Sequence, residues 1–352
     1  MISKQKKLER VQISTNKNVI DYVISAMENG FYARGPHLKK LQNVLKNKFD
    51  KEYAILTTNG FSSLFLTLKA LNLPKKNQVT TASAGTCFAM VNAIKAAGLK
   101  PKFVDLEKKT LSIQTKNLSS DKLNNNIVII PNHFGLISEG IRNKLKNNFI
   151  IEDAAQSFMS SLFTNTSSDV RILSFYPTKW VNGIDGGAIL TDNNKLASRL
   201  EKLVSYADQI KGDRIPRYNM AMSNIHAACV LGSLKNLANI SKKLMRNYHL
   251  LSDGLNTIAL KHFPIKENEV PSRFICMAKN LKQRDFILKE MKAKNIDVSK
   301  ELAWITNQNN KSLFPVAKTL IERSFSIPFH PYLNKKDISR VTKNLSIILN
   351  QY

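Results

Sequence analysis

The chain has 352 residues, of which 43% are hydrophobic and 22% charged, values typical of a globular protein with about two domains. Its 53 Lys and Arg outnumber its 26 Asp and Glu, which gives a net charge of +27. Because the lysines are dispersed over the polar faces of amphipathic stretches, we expect them to attract small anionic ligands, and we predict no nucleic-acid partner.

From about residue 50, short apolar runs alternate with amphipathic stretches. The amphipathic stretches predict helices over residues 62–73, 88–97 and 194–207. The apolar runs predict seven strands, at residues 53–58, 77–82, 101–106, 127–132, 149–153, 171–176 and 187–191. Apolar strands separated by helices are typical of a mostly parallel sheet with helices on both faces. Ligands of such α/β sheets bind beyond the carboxyl ends of the strands.

The pattern changes after about residue 223. A long helical run over residues 223–255 leads into short mixed elements, a helix over residues 284–295 and a closing helix over residues 335–350. We therefore expect two domains: a large α/β domain with an N-terminal arm, residues 1–245, and a smaller α+β domain, residues 246–352.

Three cysteines, Cys87, Cys229 and Cys276, are scattered without a CxxC pair. This spacing argues against a disulfide framework and predicts no metal site. No apolar run approaches the roughly 18 to 20 residues of a membrane span. The basic N-terminus lacks the apolar segment typical of a signal peptide. We expect a cytoplasmic protein that does not insert into a membrane.

The pair Asn59-Gly60 separates the first predicted strand from the helix that follows it. A helix that opens on glycine presents free backbone N–H groups and the positive end of its dipole, an arrangement that suits a phosphate. Ser62 and Ser63 add hydroxyl donors. The alternative is ordinary capping of the helix by Asn59 or Ser62.

A second polar group ends a buried strand, where Glu152 and Asp153 are followed by Gln156. A carboxylate at this place can pair with a protonated ring nitrogen and keep it charged, while Gln156 can donate to a neighbouring oxygen. The alternative is that Asp153 caps the next helix.

Lys179 lies within ILSFYPTKWVNGIDGGAIL, residues 172–190, between two apolar runs, and Ser174 ends the first of them. Desolvation and nearby positive charge would lower the pKa of the Lys179 amine and make it a nucleophile able to form a Schiff base. The alternative is a solvated loop lysine. A phosphate site that includes the Ser174 hydroxyl, a carboxylate for a ring nitrogen and a Schiff-base lysine are the groups that pyridoxal 5'-phosphate requires.

Seven motifs follow one another from about Gly30 to the C-terminus: NGFYARGP, NGFSSLFLTLKAL, NAIKAAGLKPKFVDLE, IEDAAQS, SFYPTK with GGAILT, YNMAMSNIHAA and SIPFHPYL. In this order they resemble the motifs of the DegT-type (DnrJ/StrS) sugar-nucleotide aminotransferases. The resemblance implies a fold type I pyridoxal-phosphate enzyme, with a large mostly parallel α/β/α sheet domain and a smaller C-terminal α+β domain. It also implies pyridoxal 5'-phosphate as the cofactor.

The resemblance assigns catalytic and ring-binding roles to three side chains. Lys179 would form the Schiff base with the cofactor and shuttle the proton during transfer. Asp153 would pair with the pyridinium nitrogen, and Gln156 would contact the ring hydroxyl.

The resemblance also implies how the phosphate is held. Ser174 and the backbone at Gly60 and Phe61 would bind it. Phe61 stands where the family has a small Thr, and Ser62 is expected to supply the missing hydroxyl. Asn219 would reach the phosphate in the partner subunit, which implies a homodimer with shared active sites.

Other departures from the family pattern concern the ring and the substrate. Cys87 stands where an aromatic ring usually stacks on the cofactor, so either this thiol or Phe88 packs there. Its other expected role is that of a small buried hydrophobe. Ala221 replaces the usual Arg and His226 the usual Gln, which leaves the substrate open.

Three further residues are candidates for substrate contact: His133, Trp180 and His330. The alternatives are a packed structural role for His133 and a role in the core or a dimer interface for Trp180.

These observations predict a transaminase that passes an amino group, by family habit from glutamate, to a keto group of a nucleotide-linked sugar for surface polysaccharide or related glycan biosynthesis. A pyridoxal-phosphate sugar dehydratase is one alternative, disfavoured because such dehydratases replace the lysine that Lys179 provides with histidine. A basic binding or regulatory protein on the same fold is the other, favoured only by the changes at Phe61 and Cys87.

Overall fold

The computed structural model describes residues 6–13, 15–74, 78–82, 84–85, 87–115, 127–164, 167–207, 209–211, 215–305 and 312–352. The large sheet contains seven strands: β1 (Tyr53–Thr57), β2 (Gln78–Ala82), β3 (Lys100–Val104), β4 (Ile127–Pro131), β5 (Phe149–Asp153), β6 (Val170–Ser174) and β7 (Gly187–Thr191). Their order is β1-β7-β6-β5-β4-β2-β3. β7 runs in the direction opposite to that of the other six strands, which are parallel to one another. The predicted mostly parallel sheet is confirmed, with a strand at each of the seven predicted places.

The helices follow one another as α1 (Lys17–Glu28), α2 (Pro36–Phe49), α3 (Gly60–Ala70), α4 (Phe88–Ala96), α5 (Ile141–Lys144), α6 (Asn194–Val204), α7 (Asn224–Leu234), α8 (Leu237–Asn256), α9 (Leu281–Ala293), α10 (Pro315–Arg323) and α11 (Lys335–Gln351). None of those in the described ranges is long and apolar enough to cross a membrane.

Both faces of the large sheet are buried, because successive strand side chains point to opposite sides. In β1, Ile55 packs into the core under α3, α4 and α6, whereas Ala54 and Leu56 pack into the core that includes α2, α7 and α8. The strands are therefore continuous apolar runs and do not alternate between apolar and polar residues.

The predicted helical run over residues 223–255 is two helices, α7 and α8, that meet at Lys235 and Asn236. Every residue of α7 from Ala227 to Leu234 is buried, whereas α8 buries residues only at helical intervals. Because α7 is buried on all sides and α8 on one face, a single straight helix cannot give both segments the burial that they need.

The last part of the chain forms a second sheet with order β10-β9-β8, made of β8 (Lys261–His262), β9 (Phe274–Met277) and β10 (Ser324–Ile327). It is antiparallel. The predicted helix at 284–295 begins earlier, at Leu281, because the Asn280 side chain accepts a hydrogen bond from the Gln283 amide and caps it. The predicted domain boundary at 245/246 falls within the continuous helix α8, and the division into two domains stays a prediction.

Three features of the sequence converge at one edge of the large sheet. β5 ends at Asp153 and β6 ends at Ser174, and these parallel strands have their carboxyl ends at the same edge. β1 and β6 both run antiparallel to β7 and are therefore parallel to each other. The carboxyl end of β1 thus lies at the same edge, and the helix that follows it, α3, begins at that edge. The topology therefore brings the start of α3 to Asp153 and Ser174.

Candidate active site

A single cavity at this edge is lined by six of the predicted residues: Gly60, Phe61, Cys87, Asp153, Ser174 and Lys179. Its walls also contain the apolar side chains of Leu64, Met90 and Ile172. Ile172 and Ser174 are two residues apart on β6 and therefore share a face of the strand. The cavity thus joins an apolar surface to polar groups at its ends.

The loop between β6 and β7 holds Lys179 against the sheet. The Lys179 amide donates to the Tyr176 carbonyl oxygen at 2.9 Å, and the Gly183 amide donates to the Phe175 carbonyl oxygen at 2.8 Å. Burial and, to a smaller extent, the positive charge of Arg273 together lower the pKa of the Lys179 amine to about 8, against the opposing effect of Asp153. The alternative of a freely solvated loop lysine is therefore wrong.

Two consecutive carboxylates at the end of β5 have separate roles. Glu152 points into the core, where it pairs with Arg171 at 2.7 Å and accepts a hydrogen bond from Asn132 Nδ2 at 2.7 Å. Asp153 faces the cavity, and its Oδ1 accepts the Ala155 amide at 3.0 Å. This bond closes a turn and not an α-helix, so the predicted capping role is replaced by one in a turn.

Burial raises the pKa of Asp153, and the Ala155 amide and the Lys179 amine oppose this rise. A cation placed beside Asp153 in the cavity would lower its pKa and be stabilised in return. The site therefore favours a ligand that carries a positive charge at this end.

The start of α3 offers backbone donors to the cavity. Asn59 caps the helix, since its Oδ1 accepts the Ser62 amide at 2.9 Å, as one of the alternatives predicted. The amides of Gly60 and Phe61 have no hydrogen-bond partner within the described ranges, so the cap and a phosphate site are compatible at this helix start.

Glycine is required where α3 meets the end of β6. A Cβ added to Gly60 would lie 3.1 Å from the Ser174 Cβ, and one added to Gly187 would lie 2.5 Å from the Asn59 backbone. These close approaches bring the Ser174 hydroxyl beside the free amides of α3. Ser62 is not brought there: it is buried, its Oγ lies 2.8 Å from Thr58 Oγ1, and it does not line the cavity.

Of the two residues considered for the ring face, Cys87 lines the cavity and Phe88 does not. The Phe88 side chain is 58% exposed at the start of α4. Cys87 is also exposed, so the expectation of a small buried hydrophobe is wrong. Cys87 is the N-cap residue of α4.

A second cavity adjoins the first, and Lys179 lines both. Gln156 and Trp180 line the second one. Gln156 Oε1 accepts the Phe134 amide at 3.1 Å, so its amide nitrogen remains as a donor. Trp180 Nε1 donates to the Pro271 carbonyl oxygen at 3.4 Å.

The remaining predicted residues lie outside both cavities. His133 is 2% exposed, and burial lowers its pKa to about 4; its ring lies 3.3 Å from a Cβ placed on Gly85. His330 is also 2% exposed, and burial lowers its pKa. The alternative of a packed, structural histidine therefore describes His133, and His330 is likewise buried and lines neither cavity. Asn219 is exposed and lines neither cavity.

The sequence analysis missed several residues of the site. Tyr176 and Asp185 line the first cavity, and Arg273 and Glu301 line the second. Tyr176 and Asp185 lie in the loop that contains Lys179, and this proximity in sequence could have identified them as site residues. Arg273 and Glu301 come from the second sheet region, far away in sequence, where no local pattern indicates a site.

Comparisons with known proteins agree with this geometry. The sequence profile of the DegT/DnrJ/EryC1/StrS aminotransferase family matches residues 14–346. A Pseudomonas aeruginosa protein named UDP-2-acetamido-2-deoxy-3-oxo-D-glucuronate aminotransferase is 24% identical over 349 residues, which cover 94% of this chain and 96% of that one.

Two further similarities complete the comparison. The spore coat polysaccharide biosynthesis protein SpsC of Bacillus subtilis is 26% identical over 248 residues, 64% of each chain. Spr1654 of Streptococcus pneumoniae, solved in a PLP form, has a TM-score of 0.84 at 15% identity, over 98% of this chain and 99% of that one. At this identity the structural likeness concerns the fold, and it confirms the predicted fold type I architecture.

Proposed function

We infer, because the chain belongs to the DegT/DnrJ/EryC1/StrS aminotransferase family, that it uses pyridoxal 5'-phosphate to move an amino group from glutamate to a keto group of a nucleotide-linked sugar. Sugar aminotransferases of this family are pyridoxal-phosphate enzymes. The observation that carries the proposal is the cavity shared by Lys179 and Asp153.

The first cavity fits the cofactor at each of its parts. The apolar side chains of Leu64 and Ile172 offer a surface for a flat ring. At one end, the free amides of α3 and the Ser174 hydroxyl form a cradle that a Cβ at Gly60 would narrow. We assign the phosphate to this cradle, with Gly60, Phe61 and Ser174 as its donors.

At the other end, Asp153 would pair with the ring nitrogen and stabilise its protonated form. Gln156, which lines the adjoining cavity, would donate from its amide nitrogen to the ring hydroxyl, and Cys87 would contact the ring. When bound, pyridoxal 5'-phosphate supplies an aldehyde for the amino group and a ring that takes up electron density.

Lys179 is the residue that moves the proton. Its Nζ is half protonated near pH 8, so it could accept a proton from the amino-bearing carbon of the donor and deliver it to the cofactor within the same half-reaction, and it could run this transfer in reverse when the keto sugar is aminated. The neighbouring carboxylate of Asp153 and the guanidinium of Arg273 shift this pKa in opposite directions.

The substrate class rests on the relatives and on charge. The names of two relatives refer to a UDP-linked keto sugar and to a spore coat polysaccharide. A nucleotide diphosphate is anionic, and the net charge of +27 raises its local concentration. We therefore propose a nucleotide sugar as the acceptor, glycan biosynthesis as the purpose and the cytoplasm as the location.

We further propose that the chain acts as a homodimer. Large apolar side chains are exposed around the cavity, with Tyr176 at 54% and Ile184 at 59%. Asn219 is exposed and outside its own cavity, as a residue that reaches into the partner subunit would be. A large domain, residues 1–245, would then supply most of each site.

The experiment that tests the proposal follows the colour of the protein. The protein loaded with pyridoxal 5'-phosphate should absorb in the visible, and glutamate should bleach this band with release of one equivalent of 2-oxoglutarate. Ammonia release from a nucleotide sugar without net amine transfer would identify the dehydratase. A colourless protein that ignores glutamate and retards nucleic acid would overturn the proposal in favour of the binding protein.

A further inference from the structure

The second cavity beside Lys179 contains a half-buried arginine, Arg273, that has few partners within the described ranges. The Arg273 side chain is 16% exposed and donates one hydrogen bond, from Nη1 to the Ser272 carbonyl oxygen at 2.7 Å. Its Nε lies 4.0 Å from Glu301 Oε1, beyond hydrogen-bond distance. Within the described ranges, the remaining N–H donors of this guanidinium are free for a ligand.

Glu301 does not fully compensate this arginine. The same oxygen, Oε1, pairs with Arg10 Nη1 and accepts a hydrogen bond from Ser326 Oγ at 2.7 Å. Two guanidinium groups therefore share one carboxylate, and the more distant of them is Arg273. The cavity keeps a local positive charge, which adds to the effect of burial in lowering the pKa of Lys179.

Other donors surround the same space. The Ser272 hydroxyl is buried without a hydrogen-bond partner in the described part of the chain, and Ser272 lines the cavity. Gln156 lines it too, and its amide nitrogen carries two N–H donors that make no hydrogen bond within the described ranges, one of which is assigned above to the ring hydroxyl. A forked cation with a nearby hydroxyl and amide matches a carboxylate, because its two oxygens accept parallel hydrogen bonds from the guanidinium.

We propose that Arg273 binds the carboxylate of a substrate whose reacting carbon lies at Lys179. The inference rests on the proposed transaminase function and adds a determinant of substrate specificity. Lys179 and Arg273 line one cavity, so the carboxylate and the reacting carbon belong to the same small molecule. Two sources have this chemistry: the α-carboxylate of the amino donor and the carboxylate of a sugar acid.

The test compares Arg273→Gln with the wild-type protein, both loaded with pyridoxal 5'-phosphate. Removal of a charge-assisted hydrogen-bonding partner should weaken binding of its ligand by roughly 10- to 100-fold. Arg142→Gln is the matched control, because Arg142 is also a half-buried arginine, paired with Asp169 at 2.7 Å, and it lines neither cavity. Arg273→Lys keeps the charge and loses the fork, so it should recover binding only in part.

Calorimetry with two ligand sets distinguishes the sources. If the amino donor is the source, Arg273→Gln weakens binding of 2-oxoglutarate and leaves UDP-glucose unchanged. If a sugar acid is the source, the variant loses the preference for UDP-glucuronate over UDP-glucose, which differ in one carboxylate. Unchanged affinity for both 2-oxoglutarate and UDP-glucuronate would overturn the inference.

The visible band separates this outcome from failure of the proposed function. A wild-type protein that forms no band, or whose band resists glutamate, contradicts the transaminase itself. If glutamate bleaches wild type and Arg273→Gln with equal rate and equal concentration dependence, and both carboxylate affinities are equal as well, the transaminase stands and Arg273 has only a structural role with Glu301.

Discussion

At the scale of single residues, the lowered pKa of Lys179 has a direct consequence for reactivity. A lysine with a pKa of about 8 in place of 10.5 contains roughly 300-fold more free amine at neutral pH. The sign follows from the group: the amine is protonated below about pH 8 and a nucleophile above it.

We therefore predict that the rate of pyridoxal 5'-phosphate capture by the apo-protein rises with pH and levels off above about 8. Stopped-flow absorbance measures this rate, and Lys179→Met, which lacks the amine, should not form the visible band. A rate that keeps rising to pH 10.5, the ordinary value for lysine, would show that burial does not act on this amine.

Asp153 is the other residue with a specific test. Asp153→Asn removes the negative charge and keeps the size of the side chain, so the ring nitrogen loses its stabilising partner, and the glutamate half-reaction should slow by roughly 100-fold or more. The control is Asp192→Asn, since Asp192 lies at the surface and pairs with Lys51. Single-turnover bleaching measures both rates, and equal rates in the two variants would remove Asp153 from the mechanism.

At the scale of elements, the site depends on the close approach of α3 to β6. Gly60→Ala places a Cβ 3.1 Å from the Ser174 Cβ and pushes apart the donors assigned to the phosphate. We expect weaker binding of pyridoxal 5'-phosphate with little change in the thermal stability of the apo-protein, because alanine is itself a good helix former.

Ser174→Ala is the matched comparison for this prediction, since it removes one hydroxyl and creates no contact. Fluorescence titration with pyridoxal 5'-phosphate compares the two affinities. A Gly60→Ala protein that binds the cofactor as tightly as wild type would show that the start of α3 is not the phosphate site.

The same elements show how much could be predicted from the sequence. The seven strands were predictable because strands buried on both faces have continuous apolar runs. The positions of Asp153 and Lys179 at the cavity were predictable because Asp153 ends one such run and Lys179 lies in the loop that follows another. The break between α7 and α8 was not predictable from the sequence, because it depends on a change in tertiary burial and not on local helical propensity.

Other parts of the site depend on contacts between distant segments. Ser62 appeared to be a phosphate donor because it is near Gly60 in sequence, but its hydroxyl bonds to Thr58. Cys87 appeared to be a core residue because cysteine is usually buried, but it stands just before α4 at the open edge. Arg273 enters the site from the second sheet region, and only the folded chain brings it to Lys179.

At the scale of the whole molecule, the proposal requires two chains for one active site. Lys179 lies within its own cavity, whereas Asn219 is exposed outside it. In a dimer, each complete site would then combine Lys179 of one protomer with Asn219 of its partner. The two residues can therefore be substituted in different chains and the chains mixed.

We predict that Lys179→Ala and Asn219→Ala proteins are each defective alone and that a mixture of them recovers activity after subunit exchange. Each mixed dimer has one complete site, so random pairing should restore about a quarter of the wild-type rate per chain. Sedimentation should show a species of twice the 39.7 kDa chain mass. A monomer in solution, or a mixture without recovery, would contradict the shared site.

The central claim is that one amine in this chain holds the cofactor's aldehyde. Its most direct test is borohydride reduction of the protein loaded with pyridoxal 5'-phosphate, followed by mass spectrometry of its peptides. The account predicts that one equivalent of cofactor becomes attached to Lys179. This modification should be absent in Lys179→Met and should not decrease when free lysine analogues are added as competitors. Modification spread over other lysines, or absent at Lys179, would contradict it.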